Sequence, residues 1–116
     1  MEDSVYHIVI YKLKADVSRH DIMNVTNLFF DCYDAIAGIT EISVSDNISP
    51  SKYAKDWQLS AILKFKDKSV LKELLQHPAH QKISQIVGSG FQDDLIVFDH
   101  LITDRRFPLI WENDPV

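Results

Sequence analysis

The stretch "VYHIVIYKL", residues 5–13, decides how the rest of the chain is read. It is rich in β-branched and aromatic residues and predicts a strand. Successive side chains of a strand point to opposite faces. Tyr6, Ile8 and Ile10 therefore share one face, and Val9, Tyr11 and Leu13 the other. Both faces are apolar, so this strand needs cover on both sides.

Working outward, "DLIVFDHLI" (94–102) has the same two-sided character and predicts the last of four strands. Between the two, Ser18 and Asp21 have the spacing of a capping box, which opens a helix that Gly38 is expected to close. Ile22, Val25, Phe29, Cys32 and Ile36 recur every three or four residues and give that helix one apolar stripe. "ITEISVS" (39–45) alternates and predicts a half-exposed strand. The polar loop "DNISPSKYAKD" (46–56) follows. In "WQLSAILKF" (57–65), Trp57, Leu59, Ala61, Leu63 and Phe65 fall on one face of a third strand. Asp67 is placed to cap a second helix through Gln76, and Pro78 interrupts and restarts it until about Gly88.

The resulting order, β-α-β-β-α-β, is the ferredoxin-like pattern: an α+β fold with a four-stranded antiparallel sheet. Helices so connected cover only one face of the sheet. Leaving the other apolar face in water costs about 25 cal/mol per Å². A second copy is the simplest cover, which predicts a homodimer in which two sheets form a dimeric α+β barrel. The segment "RRFPLIWENDPV" (105–116) carries Phe107, Leu109, Ile110 and Trp111 and is expected to dock across that interface. The expected division is a domain over residues 1–103 and a C-terminal extension over 104–116.

Composition narrows the functional classes. With 116 residues, 46% hydrophobic and 25% charged, the chain has the make-up of one globular domain. A formal charge of −5 leaves no basic surplus to displace counterions, so nucleic acid is not an expected partner. No apolar run approaches the ~18 residues of a membrane span, so no membrane partner is expected, and "MEDSVYHIVI" lacks the features of a signal peptide. Cys32 is the sole cysteine, which fits a reducing, cytoplasmic setting and a small core residue rather than a nucleophile. Gly38, Gly88 and Gly90 form no phosphate-binding loop.

With these elements placed, "HIVIYKLK" (7–14), "NISP" (47–50), "ILKF" (62–65), "HPAH" (77–80) and "IVFD" (96–99) together resemble the stress-responsive A/B barrel family of dimeric α+β barrels. That resemblance implies a small pocket between sheet and helices. It extends distantly to olivetolic acid cyclase, a plant enzyme that closes a polyketide without cofactor or metal. In that light His80 takes the place of the catalytic base, with Asp99 and His7 as its polar neighbours. Leu74 and Leu59 stand where the relative has a tyrosine and a histidine.

The residues themselves support part of this. The residue before a proline is pushed out of the helical region, so His77 sits at a helix entrance, while His80 lies one turn inside. Asp99 interrupts an apolar strand on the same face as Leu95 and Val97, and a buried carboxylate needs a partner, which His80 or His7 could supply. The expected catalytic pair is His80 oriented by Asp99. The expected ligand contacts are His7, Val9, Phe29, Ala61, Leu63, Leu74, His77 and Val97. Glu73, His77 and His80 are poorly spaced for a metal across the break at Pro78, so neither metal nor cofactor is expected. Two classes of function remain. One is a non-catalytic dimer that holds a small, mostly apolar molecule. The other is a cofactor-free cyclase, lyase or isomerase, with a cofactor-independent monooxygenase as a weaker variant.

Overall fold

The computed structural model describes residues 3–102. The apolar cluster between Phe107 and Trp111 lies outside them. The strands are β1 (Val5–Leu13), β2 (Ile39–Asp46), β3 (Leu59–Phe65) and β4 (Gln92–Leu101). The helices are α1 (Arg19–Ala35), α2 (Ser69–Gln76) and α3 (Pro78–Gly88), with one 3-10 turn at Lys52–Ala54. The sheet order is β2-β3-β1-β4, and every pairing is antiparallel. β1 and β3 are thus central, and β4 is an edge. This is the ferredoxin-like α+β arrangement that the strand patterns predict.

Local chemistry sets the element ends. The Ser18 hydroxyl accepts from the Asp21 N–H at 3.1 Å, and the Asp21 carboxylate accepts from the Ser18 N–H at 3.0 Å. This reciprocal pair satisfies two donors that an uncapped helix would leave free. α1 ends at Ala35, three residues before Gly38, so Gly38 does not close it. Gly38 is needed for a different reason. A Cβ there would lie 2.5 Å from Val70 Cγ2, so the turn into β2 passes against α2 too closely for any side chain. Trp57 precedes β3 rather than opening it. Its carbonyl accepts from Asn47 Nδ2 at 2.7 Å, and the Asn47–Gln58 backbone bond closes the loop at 2.8 Å. Asp67 holds the start of α2 by accepting from the Ser69 N–H at 2.9 Å and from its hydroxyl.

The core lies between the sheet and the helices. Val5, Val9 and Tyr11 of β1 and Leu59, Ala61, Leu63 and Phe65 of β3 meet Val25, Phe29 and Cys32 of α1, Val70 and Leu74 of α2 and Ile83 of α3. Burial pushes the Cys32 thiol up to about 11, so at neutral pH it is a protonated, unreactive core group. Among the described residues no helix covers the opposite sheet face. On it Tyr6, Ile8 and Ile10 are half-buried by their neighbours, while Ile62, Ile96 and Phe98 are exposed.

Candidate functional site

Five elements, chiefly β1, β4 and α3, converge on a cavity of about 200 Å³ between the helix-side face of the sheet and α3. Strand alternation supplies its floor from β1, where His7, Val9 and Tyr11 all point to the helix side. The pairing register sets Asp99, Val97 and Leu95 of β4 directly beside those three residues. From α3, His80, Ile83, Ser84 and Val87 follow at i, i+3, i+4 and i+7, a single helical stripe along the cavity. Phe29 of α1 closes one wall, and Leu75, Ser84 and Val97 are exposed at the rim.

One end of this cavity is polar. His7 is 3% exposed, and its Nδ1 donates to Asp99 Oδ1 at 2.6 Å. Its ring stacks on Phe65 at 5.5 Å, which fixes the imidazole plane. With Nδ1 committed to the carboxylate, Nε2 is the ring atom left for other chemistry. Asp99 therefore belongs to His7 and not to His80, because β4 pairs directly with β1 and places the two residues opposite each other. The expected His80–Asp99 bond is not formed.

His80 is half-buried, and no hydrogen bond to its ring is present among the described residues. Burial lowers its pKa, and positive charge at His7 lowers it further. It is thus a neutral imidazole at neutral pH, with a free basic nitrogen facing the cavity. His77 does other work. Its Nδ1 accepts from the Ala79 N–H at 3.1 Å, capping α3 ahead of Pro78 at the first helical position. The two histidines of "HPAH" are thus a helix cap and a cavity wall.

Five of the residues singled out from sequence, His7, Val9, Phe29, His80 and Val97, line this cavity, and Asp99 backs it through His7. Ala61, Leu63 and Leu74 are fully enclosed in the core and do not line it. Tyr11, Leu75, Ile83, Ser84, Val87 and Leu95 are contacts that sequence reasoning missed. The signal for half of them was present: Ile83, Ser84 and Val87 continue the helical stripe that begins at His80. Among the described residues no group of histidine, cysteine or carboxylate side chains is arranged to hold a metal ion, and no helix is long and apolar enough to cross a membrane.

The fold agrees with that of known proteins. A hydroxynitrile lyase from Passiflora edulis superposes with a TM-score of 0.79 at 14% identity, over 93% of this chain and 100% of that one. A dimeric ferredoxin-like protein of unknown function from a Jannaschia species gives 0.74 at 19% identity, over 83% and 96%. A Dabb family protein with a ferredoxin-like fold from Mesorhizobium loti gives 0.63 at 17%, over 89% and 100%. At these identities the likeness is one of fold. Among curated proteins none matches the chain in sequence. The model of the stress responsive A/B barrel domain matches residues 5–101, from the start of β1 to the end of β4. That span contains every element of the sheet and every wall of the cavity, and the chain belongs to the stress responsive A/B barrel domain family.

Proposed function

We propose that this protein binds a small, mostly apolar molecule in the cavity between the sheet and α3, as one half of a homodimer. The observation that carries the reading is the cavity itself: apolar along most of its walls, polar at His7 and His80, and smaller than the ~300–1,000 Å³ of a drug-sized site. The dimer follows from the uncovered sheet face, where Ile62, Ile96 and Phe98 are exposed in a patch that a second sheet would bury. The dimeric state of the Jannaschia protein, which shares the fold, supports it.

Acetophenone and α-methylstyrene, matched in shape, are suitable probes. Titration by ¹⁵N–¹H NMR should give saturable shifts at Val9, His80 and Val97, and Ser84→Trp at the rim should block them. Saturable shifts confined to other surfaces, or none, would overturn the reading. For the dimer, sedimentation should give twice the 13.4 kDa chain mass, and Ile96→Lys should return the chain to its single mass, since an unpaired charge is costly in an apolar interface. A well-folded monomer at micromolar concentration would refute the barrel.

A second reading has its own observation. His80 is a desolvated, neutral imidazole without a partner, the state a general base requires. On that reading the protein is a cofactor-free lyase, cyclase or isomerase in which His80 removes a proton from carbon, and the Asp99–His7 pair holds the facing side of the site. The hydroxynitrile lyase from Passiflora edulis shows this fold carrying a lyase activity in another protein. Exchange of the acetophenone methyl protons in D₂O tests it. Catalysed exchange that vanishes in His80→Ala supports a base, and exchange at the buffer rate leaves binding alone.

A further inference from the structure

We propose that Tyr11 is a specificity-determining residue, whose hydroxyl donates a hydrogen bond to an acceptor oxygen on the bound molecule at the end of the cavity remote from His7. The proposal rests on the binding reading above and names the chemistry that the ligand must bring.

Tyr11 is 1% exposed and lines the cavity. Its ring is fixed by Phe91, edge to face at 5.4 Å and 87°. Its hydroxyl has no hydrogen-bond partner among the described residues. Yet Gln92 Oε1 is the one fully enclosed side-chain polar atom among them that lacks a partner. The Tyr11 hydroxyl, unpartnered too, must therefore keep the residue's small remaining exposure, and the cavity is the open space it borders.

A hydroxyl so nearly enclosed and left unpaired costs stability. A phenylalanine would fill the same space against Phe91 without that cost, so the hydroxyl contributes nothing to the fold. Burial also holds the phenol's pKa well above its ordinary value, so the group is a neutral donor throughout the physiological range. Tyr11 lies four steps along the strand from His7, about 13 Å between their Cα atoms. Val9 and Val97 lie between them, paired across β1 and β4. The cavity is thus a slot with an imidazole end, an apolar middle and a phenol end. The ligand that fits it is elongated, apolar along its length, and carries a carbonyl, ether or similar acceptor where it meets Tyr11.

Tyr11→Phe removes only the oxygen. It should weaken acetophenone five- to tenfold and leave α-methylstyrene, which has a methylene in place of the carbonyl oxygen, unchanged. The ¹³Cζ resonance of Tyr11 in the unaltered protein gives a readout that needs no variant: it should move with acetophenone and stay with α-methylstyrene. Equal effects of the substitution on both probes, or a ¹³Cζ that ignores the carbonyl, would overturn the role of Tyr11 while leaving the binding reading intact. Failure of both probes to bind the unaltered protein would overturn the two together.

Discussion

β3 and β4 present nearly the same pattern of apolar residues to the same side of the sheet, yet one makes core and the other makes a site. Leu59, Ala61, Leu63 and Phe65 of β3 are 0–4% exposed, whereas Val97 of β4 is 53% exposed. The difference comes from position. β3 lies between β1 and β2 and is buried under the helices, while β4 is an edge strand whose helix-side face borders the cavity. Where helix cover is complete the face closes into a core; where it thins out the same chemistry opens into a slot. Residue pattern sets which face is apolar, and sheet order sets whether anything is left to bind there.

Paired truncations break or sharpen this contrast. Leu63→Ala should cost about 2–5 kcal/mol, the range for a closed core site. Val97→Ala should cost less than about 1 kcal/mol while weakening the acetophenone shifts. Denaturant unfolding of the two variants measures both, and equal losses would erase the distinction between the two sides. Next in size is Asp99→Asn, which keeps an acceptor for His7 but removes the charge. The carboxylate is partly solvated, so about 1 kcal/mol is expected, again by denaturant unfolding.

The contrast also explains what the sequence could and could not say. Period-two alternation, the Ser18–Asp21 box and the break at Pro78 are local signals, and they predict the element order and the two-faced first and last strands. Val9, Phe29 and Val97 can be placed on the cavity side because they lie on apolar faces, whereas His7 and His80 are placed there mainly by the family resemblance. Ala61, Leu63 and Leu74 lie on equally apolar faces but under full cover, and no local pattern reports cover. The sequence leaves Asp99 between His80 and His7 and favours His80, because the choice depends on pairing register, which sets residue 99 opposite residue 7. Tyr11 was passed over because a tyrosine in a strand is ordinary until its hydroxyl is found without a partner.

The two histidines of "HPAH" allow a smaller test of the same division between scaffold and site. His77→Ala should lower stability by about 0.5–1 kcal/mol through the lost cap, and His77→Asn should restore most of it, with probe binding unchanged in both. His80→Ala should do the reverse, changing binding far more than unfolding.

The smallest effect expected is on titration. A histidine whose pKa is lowered by folding binds its proton more readily when unfolded, so stability is full above its ordinary value of 6.5 and is lost as pH falls toward the folded value. Thermal unfolding between pH 7.5 and 5 should follow that sign, and His80→Gln should flatten the dependence. In His7→Gln the His80 midpoint, followed by ring-proton NMR, should move toward 6.5 without reaching it, because burial is the larger cause of the shift. A full return would make the neighbouring charge the dominant cause.

The pairing of β1 with β4 also sets an order in time. Val5–Leu13 can dock against Leu59–Phe65 once the middle of the chain exists, but its other edge stays unpaired until Gln92–Leu101 has been made. On a ribosome adding about 5–20 residues per second, that edge waits several seconds as an exposed template for wrong partners. The His7–Asp99 bond, spanning 92 positions of sequence, joins the first strand to the last. The slot is consequently the last part of the described fold to be completed during synthesis, and a chain stalled before residue 92 has a core in progress but no slot.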